Sequence, residues 1–491
     1  MSLPTIELPY GFTHLKTQPR KSHKLRTSIC SIDSQKLEPC HECEDSPTSR
    51  EEIKSRITTL CKQLWRFAEE DTIDVQYFDE GSFNQLFIIS CADFAGQLPD
   101  VVLRLPWIES SITRTVAILE YLNKHTDLKV PKVIHWDATE DNALSHDYVI
   151  MSRIPGKSLQ SVLSDLSQEQ RMAVAKEVAQ VYRQMESVTS PIAGRMKAHG
   201  KFSAGDDPSD NVFIQPFGTE ILEIPDDPIN LNNKENGILP IERLQYDPPG
   251  LTINEIMMPI YQRRIYELYN RTKSHEYLLD LFEPLQEMVQ GMVDNELFKP
   301  ENEHICLQHP DFFPRNIMVD FTPDPVITGV IDWDEANFVP RFATCVPPRW
   351  LWQSRWWKQD DDNGDEAVDD ENDENDEKED GVDDNDENEE CDDEHDWHNE
   401  PLDVEGNAPT TPEEAEIKRV FEEAIGERWV SEATSPWFPL ARRLLQFSRR
   451  IMYGQQDDED VADWKRRWDV LFPDDVDDSE NSENLGAASD H

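Results

Sequence analysis

The residues best suited to chemistry stand close together in His309-Pro310-Asp311-Phe312-Phe313-Pro314-Arg315-Asn316, an H-x-D-x4-N pattern. Sixteen residues after the asparagine comes Ile331-Asp332-Trp333-Asp334. Transfer of a phosphoryl group to a hydroxyl asks for a carboxylate that orients the attacking group and accepts its proton. It also asks for oxygen ligands that hold magnesium on the phosphates. An aspartate and an asparagine on one loop supply a base and one ligand, and an acidic residue brought beside them by a hairpin completes a metal site. Mg²⁺ takes hard oxygen ligands and keeps part of its water, so two protein oxygens plus phosphates suffice.

Elements that could position these residues are readable around them. Ile305-Cys306-Leu307 and Ile317-Met318-Val319 flank the polar loop, and Val326 to Ile331 is a further strand-like run. Upstream, a helix is expected over 50–70, capped by Ser49, with Ile53, Ile57, Leu60, Leu64 and Phe67 on one side. Val75–Phe78, a turn at Glu80-Gly81-Ser82-Phe83-Asn84, and Gln85–Ile89 read as strand, glycine turn, strand. Val101–Leu105, Lys132–His135 and Tyr148–Met151 are three more strands, with a helix over 112–123. Five strands around one helix make a small lobe. Ser158 and Leu159 open one predicted helix, and Gln168 to Met185 forms another. Residues 194–250, rich in Pro, Gly, Asn and Asp, read as an insertion of loops. Helical texture resumes over 252–296, 412–430, 437–452 and 459–471.

With its β-rich lobe followed by this loop and hairpin, the chain resembles the aminoglycoside-phosphotransferase and choline-kinase-like family over roughly residues 50–350. The resemblance implies an α+β, bilobal protein-kinase-like fold and an ATP- and Mg²⁺-dependent kinase acting on a small-molecule hydroxyl. By the same analogy Asp311 is the catalytic base and His309 braces its loop. Asn316 and Asp332 bind magnesium, and Asp334 either joins them through water or caps the following turn. Gly81, Ser82 and Asn84 form the turn over the ATP phosphates, and Met151, in Tyr148–Gly156, sits against the adenine. Arg104 stands where the family carries a phosphate-binding lysine. It keeps the charge but is longer and forked. Thr115 falls where a glutamate partner usually sits. Glu120 lies about 140° further around the helix, and Glu109 is another candidate partner.

The implied organisation is an arm (1–48), a nucleotide-binding lobe (50–156) and a larger lobe (157–358). An acidic insertion (359–400), C-terminal helices (401–473) and an acidic tail (474–491) follow. Residues 360–396 hold 24 Asp or Glu and one basic residue, Lys378, and so supply −23 of the net −53. Like-charge repulsion and lack of apolar residues make that run a solvated spacer, or alternatively a dock for a basic protein. An acidic chain repels nucleic-acid phosphates, so no nucleic-acid partner is expected. No apolar run reaches membrane-spanning length. Eight irregularly spaced cysteines fit a reducing, cytosolic type of compartment. The basic arm with Lys16, Arg20, Lys21, Lys24 and Arg26 offers a mitochondrial transit peptide as the alternative.

Several features have a plainer reading beside the functional one. Cys40 and Cys43 lack a second pair for zinc. Trp350, Trp352, Trp356 and Trp357, interleaved with Arg349 and Arg355, read first as packing and second as a box for a cationic substrate. Met257, Met258, Met288 and Met292 read as helix-face core. His135 and His146 read as turn residues, and His395 and His398 as loose metal ligands at most. Two other functions stay open: a nucleotide-binding pseudokinase, suggested by Arg104 and Thr115, and an acidic scaffold.

Overall fold

The computed structural model describes residues 47–65, 73–81, 84–91, 100–106, 112–198, 208–217, 256–257, 279–297, 304–322, 326–353, 408–449 and 455–472. The arm with Cys40 and Cys43, Ser82, Glu109, Met258, Arg355, Trp356, Trp357, the acidic run with His395 and His398, and the tail lie outside them. The chain divides into two units: residues 1–116, 133–153 and 199–211, and residues 117–132, 154–198 and 212–491. As expected, the architecture is α+β, with strands and helices in both units. No helix among the described residues is long and apolar enough to cross a membrane.

The first unit contains α1 (Pro47–Leu64), β1 (Ile73–Gly81), β2 (Asn84–Cys91), β3 (Val101–Pro106), the start of α2 (Ile112–His125), β4 (Val133–Asp137) and β5 (Tyr148–Ser152). Its antiparallel sheet runs β1-β2-β3-β5-β4, so all five expected strands form. The two-residue period of a strand sends Phe87, Ile89, Val101, Leu103, Leu105 and Ile150 into one core. There Ile57, Leu60 and Cys61 of α1 join them. Each such aliphatic or phenyl group contributes about 1.5–3 kcal/mol when fully buried. Burial also pushes the Cys61 thiol up to about 12, so it packs as an apolar group.

The second unit contains β6 (Lys157–Ser158), α3 (Gln168–Ser187), β7 (Thr189–Ser190), β8 (Gly194–Ala198), β9 (Val212–Pro216) and α4 (Leu279–Asp294). It continues with β10 (Ile305–Gln308), β11 (Ile317–Val319), β12 (Ile327–Val330) and β13 (Asn337–Pro340). The last four helices are α5 (Pro412–Ile425), α6 (Glu427–Ala433), α7 (Trp437–Arg449) and α8 (Gln455–Leu471). One sheet has the order β7-β10-β13-β8-β9, the other β12-β11-β6. Helix α3 opens with a capping box between Ser167 and Gln170, and buries Val174, Val178, Val181 and Met185. It packs on α5.

Three expectations are corrected here. Ser158 does not open a helix: Lys157 and Ser158 pair with Val319 and Met318. Their strand begins at Gly156, whose φ of +101° suits glycine and whose added Cβ would lie 2.1 Å from the Val319 oxygen. Residues 194–250 are not all loop, because β8 and β9 pair from Gly194↔Pro216 to Ala198↔Val212. The helix expected over 412–430 is broken at Gly426, φ +104°, which ends α5 and precedes α6. Over 252–296, the described helical residues are 256–257 and α4.

Candidate active site

Within the second unit, the H-x-D-x4-N loop joins β10 to β11. It is pinned from both ends. The Phe312 ring meets Tyr182 of α3 edge-on at 5.1 Å, and Tyr182 in turn meets Phe421 and Trp429. From the other side Ser158 Oγ donates toward the Pro314 and Arg315 carbonyls, and Leu159 N–H donates to Ile317 O. A 3-10 turn over Pro314–Asn316 then brings two side chains back onto Asp311. Arg315 grips both carboxylate oxygens, Nη2 to Oδ1 at 2.6 Å and Nε to Oδ2 at 3.2 Å. Asn316 Nδ2 donates to Asp311 Oδ2 at 2.6 Å and to its main-chain oxygen at 2.9 Å. Both amide protons of Asn316 are thus used, which leaves its Oδ1 as the acceptor for a ligand.

The second carboxylate is positioned by main-chain bonds. Ile331 N–H donates to Asn316 O at 2.9 Å. The Ile331 carbonyl accepts from His309 Nε2 at 2.9 Å. Trp333 Nε1 donates to Val330 O at 3.0 Å, and the Trp333 ring lies edge-on to His309 at 4.6 Å. Between these fixed points Asp332 adopts φ +64°, the left-handed region, where aspartate is one of the few side chains tolerated. Burial pushes the His309 ring below its ordinary value, against the opposing pull of the Ile331 bond, Asp311 and Asp334. A neutral ring that donates from Nε2 leaves Nδ1 as acceptor, and Nδ1 is enclosed without a hydrogen-bond partner. His309 thus ties its loop to the residue before Asp332. Asp334 is half-buried near it.

Glu177 of α3 was not singled out by sequence reading. Its two carboxylate oxygens accept from Val326 and Ile327 N–H, both at 2.7 Å, and so fix the start of β12, the strand that leads to Asp332. A lone glutamate inside an amphipathic helix gives no local signal of such a role, because its partners lie about 150 residues on. A cavity of about 460 Å³ also opens in this unit. Its wall includes His309 and Pro310 before Asp311, Phe312 and Phe313 after it, and Trp350. Trp350 and Trp352 are buried, in keeping with packing.

In the first unit, Gly81 pairs directly with Asn84 across the β1–β2 turn, and Ser82 lies outside the described residues. Arg104 sits mid-strand on β3, opposite Leu86 and Val149. Met151 pairs with Val102, so Arg104 and Met151 share the sheet face opposite Leu103 and Ile150. Thr115 is buried in α2 at 5% exposure.

Residues 93–343, just over half of the chain, match the model of the phosphotransferase enzyme family, APH. The chain belongs to the phosphotransferase enzyme family. Among curated relatives, this chain is 25% identical over 128 residues to a subtelomeric hrmA-associated cluster protein of Aspergillus fumigatus, covering 25% of this chain and 24% of that protein. It is 24% identical over 297 residues to "Altered inheritance of mitochondria protein 9, mitochondrial" of Debaryomyces hansenii, covering 55% of this chain and 46% of that protein. The chain thus spans between a quarter and half of these relatives' lengths. Among solved structures it is similar to a thermostable mutant of aminoglycoside phosphotransferase APH(4)-Ia in complex with AMP-PNP and hygromycin B, at 16% identity and TM-score 0.38, over 85% of this chain and 97% of that one. It is also similar to choline kinase from Cryptosporidium parvum, at 12% identity and TM-score 0.38, over 85% and 96%.

The donor set of the phosphotransferase fits a hard cation. Among the described residues no group of three or more His, Cys, Asp or Glu forms a self-sufficient metal cluster. The Asn316 amide oxygen and the Asp332 carboxylate come instead from residues tied through the Asn316–Ile331 bond. Both are oxygens of the kind magnesium takes, with room left for water and phosphate.

Proposed function

We propose that this phosphotransferase moves the γ-phosphoryl group of ATP to a hydroxyl of a small-molecule acceptor. The observation that carries the proposal is the Asp311 carboxylate, gripped by Arg315 and Asn316 in a turn whose facing strand delivers Asp332. Asp311 orients the acceptor hydroxyl and takes its proton as the hydroxyl oxygen bonds to the γ-phosphorus. The bond from that phosphorus to the β–γ bridging oxygen breaks, and ADP leaves. The loose transition state asks more for positioning than for covalent help, which suits a carboxylate already held at both oxygens. Asn316 Oδ1 and Asp332 would hold Mg²⁺, and Asp334 would join them through water or cap the following turn. The ion, when bound, neutralises charge on the β- and γ-phosphates. The Gly81–Asn84 turn and Arg104 steady the phosphates, while Met151 lies against the base.

Asp311→Asn tests the chemistry. ATP turnover is expected to fall about 10²- to 10⁴-fold while ATP affinity stays close to wild type. Equal turnover in the two proteins would remove Asp311 from the reaction. The buried Thr115, standing in the place of a charged partner, favours a second reading: a domain that binds nucleotide without turning it over. ATP binding without any wild-type turnover would select that reading. We place the chain in the cytosol, with the mitochondrial matrix as the alternative raised by residues 11–29, and import into isolated mitochondria separates the two.

A further inference from the structure

Across four neighbouring strands, Gln308 (β10), Asn337 (β13), Arg195 (β8) and Gln215 (β9) stand directly opposite one another. Directly opposed residues of antiparallel strands share a face, so four polar side chains run side by side across this sheet. Asn337 is 0% exposed, and neither its Oδ1 nor its Nδ2 has a hydrogen-bond partner. A buried amide left unbonded is costly. Such a group in a native fold asks for a reason. Its neighbour Arg195 is half-buried, with Nε enclosed and unpartnered.

Arg195 and Gln308 both line the cavity beside the Asp311 loop. Arg349, Arg442 and Arg443 line it too, against one acid, Glu186, whose carboxylate is engaged by Arg341. Four arginines thus line one concavity of a chain whose net charge is −53, the Arg442 guanidinium donating to the Phe342 and Cys345 carbonyls. A concave site lined by one sign of charge concentrates ligands of the other sign. Guanidinium forks match the paired oxygens of carboxylates and phosphates.

We propose that this cavity is the acceptor subsite and that the acceptor is a small alcohol bearing an oxyanion, gripped by Arg195. The proposal rests on the phosphotransfer reading and names its substrate class. The carboxylate of a hydroxy acid and the phosphate of a phosphorylated alcohol share the required chemistry. A polyamine acceptor would meet four like charges here.

Four alcohols of similar size test this by calorimetry on the full chain: glycerate, glycerol 3-phosphate, glycerol and choline. At least one of the two anions is expected to bind, and which one does identifies the oxyanion. Glycerol and choline are expected to give no measurable heat. Arg195→Ala should weaken the anion at least about tenfold, and Arg195→Lys, which restores the charge but not the fork, should recover only part of that loss. With ATP present, the bound anion should stimulate ADP release, and Arg195→Ala should raise its KM more than it lowers kcat. Equal anion affinity in wild type and Arg195→Ala, preferential binding of choline, or no binding of either anion overturns the proposal. ATP titrated into the same preparation keeps the two readings apart. ATP binding without anion binding sinks the anionic acceptor alone, whereas absence of ATP binding removes phosphotransfer and the acceptor subsite with it.

Discussion

Arg315 shows what residue spacing does and does not disclose. It lies inside the H-x-D-x4-N stretch, and the types and spacing of His309, Asp311 and Asn316 were legible because the chemistry fixes them. The Arg315 grip on Asp311 was not, since it depends on the 3-10 turn that folds the arginine back. The pair is partly exposed, at 45% and 30% for the two side chains, so it adds at most about 1 kcal/mol to stability. Its value lies in orientation. Arg315→Ala is expected to lower kcat about tenfold through lost positioning, with unfolding midpoint and ATP affinity nearly unchanged; a large stability loss with normal kcat would reverse that assignment. His309 has a pH signature. Its folded-state proton affinity is lowered by burial from the ordinary 6.5. The unfolded chain therefore takes up the proton first on acidification. Stability present above that value is lost as pH falls below it. His135 and His304 are lowered by burial as well, so His309→Gln should make the drop in urea midpoint between about pH 7 and 5 shallower without abolishing it. An unchanged slope would mean that His309 does not titrate differently in the two states.

At the scale of elements, strong periodicity was readable and long-range pairing was not. The α1 stripe and the five strands of the first unit follow from alternating or helical apolar positions that each segment carries in itself. Strand β6 is two residues long and exists only because β11, some 160 positions later, offers it an edge. Leu159, Leu163 and Leu166 beside it mimic a helix stripe. Strands β8 and β9 were read as loop because residues 194–250 around them are rich in Pro, Gly, Asn and Asp, and because β9 lies beyond a polar connection. Glu177 ties α3 to β12 in the same non-local way. Glu177→Ala leaves two N–H groups without their acceptor, at about 1.5–3 kcal/mol for a hydrogen bond to a charged group. The urea midpoint should fall accordingly, and Glu177→Gln, which keeps one acceptor oxygen, should recover part of it. Wild-type stability in Glu177→Ala would show that water replaces the carboxylate at no cost.

For the molecule as a whole, the acidity is spread: residues 360–396 supply −23 of the net −53, and −30 lies elsewhere. Within this acidic chain the second unit gathers four arginines around one cavity. Net charge could not disclose that, because the arginines come from positions 195, 349, 442 and 443 and meet only in the fold. Membership of the phosphotransferase family covers the stretch from 93 to 343, which includes Arg104, the Asp311 loop and Asp332. The account stands or falls on whether Asp332 serves a magnesium-bound nucleotide. Titration of ATP into the full chain, with and without Mg²⁺, on wild type and on Asp332→Ala, asks this directly. Magnesium-dependent binding by the wild type that is lost in Asp332→Ala is the result expected. A folded wild type that binds no ATP, or an Asp332→Ala protein whose magnesium dependence is intact, would contradict it.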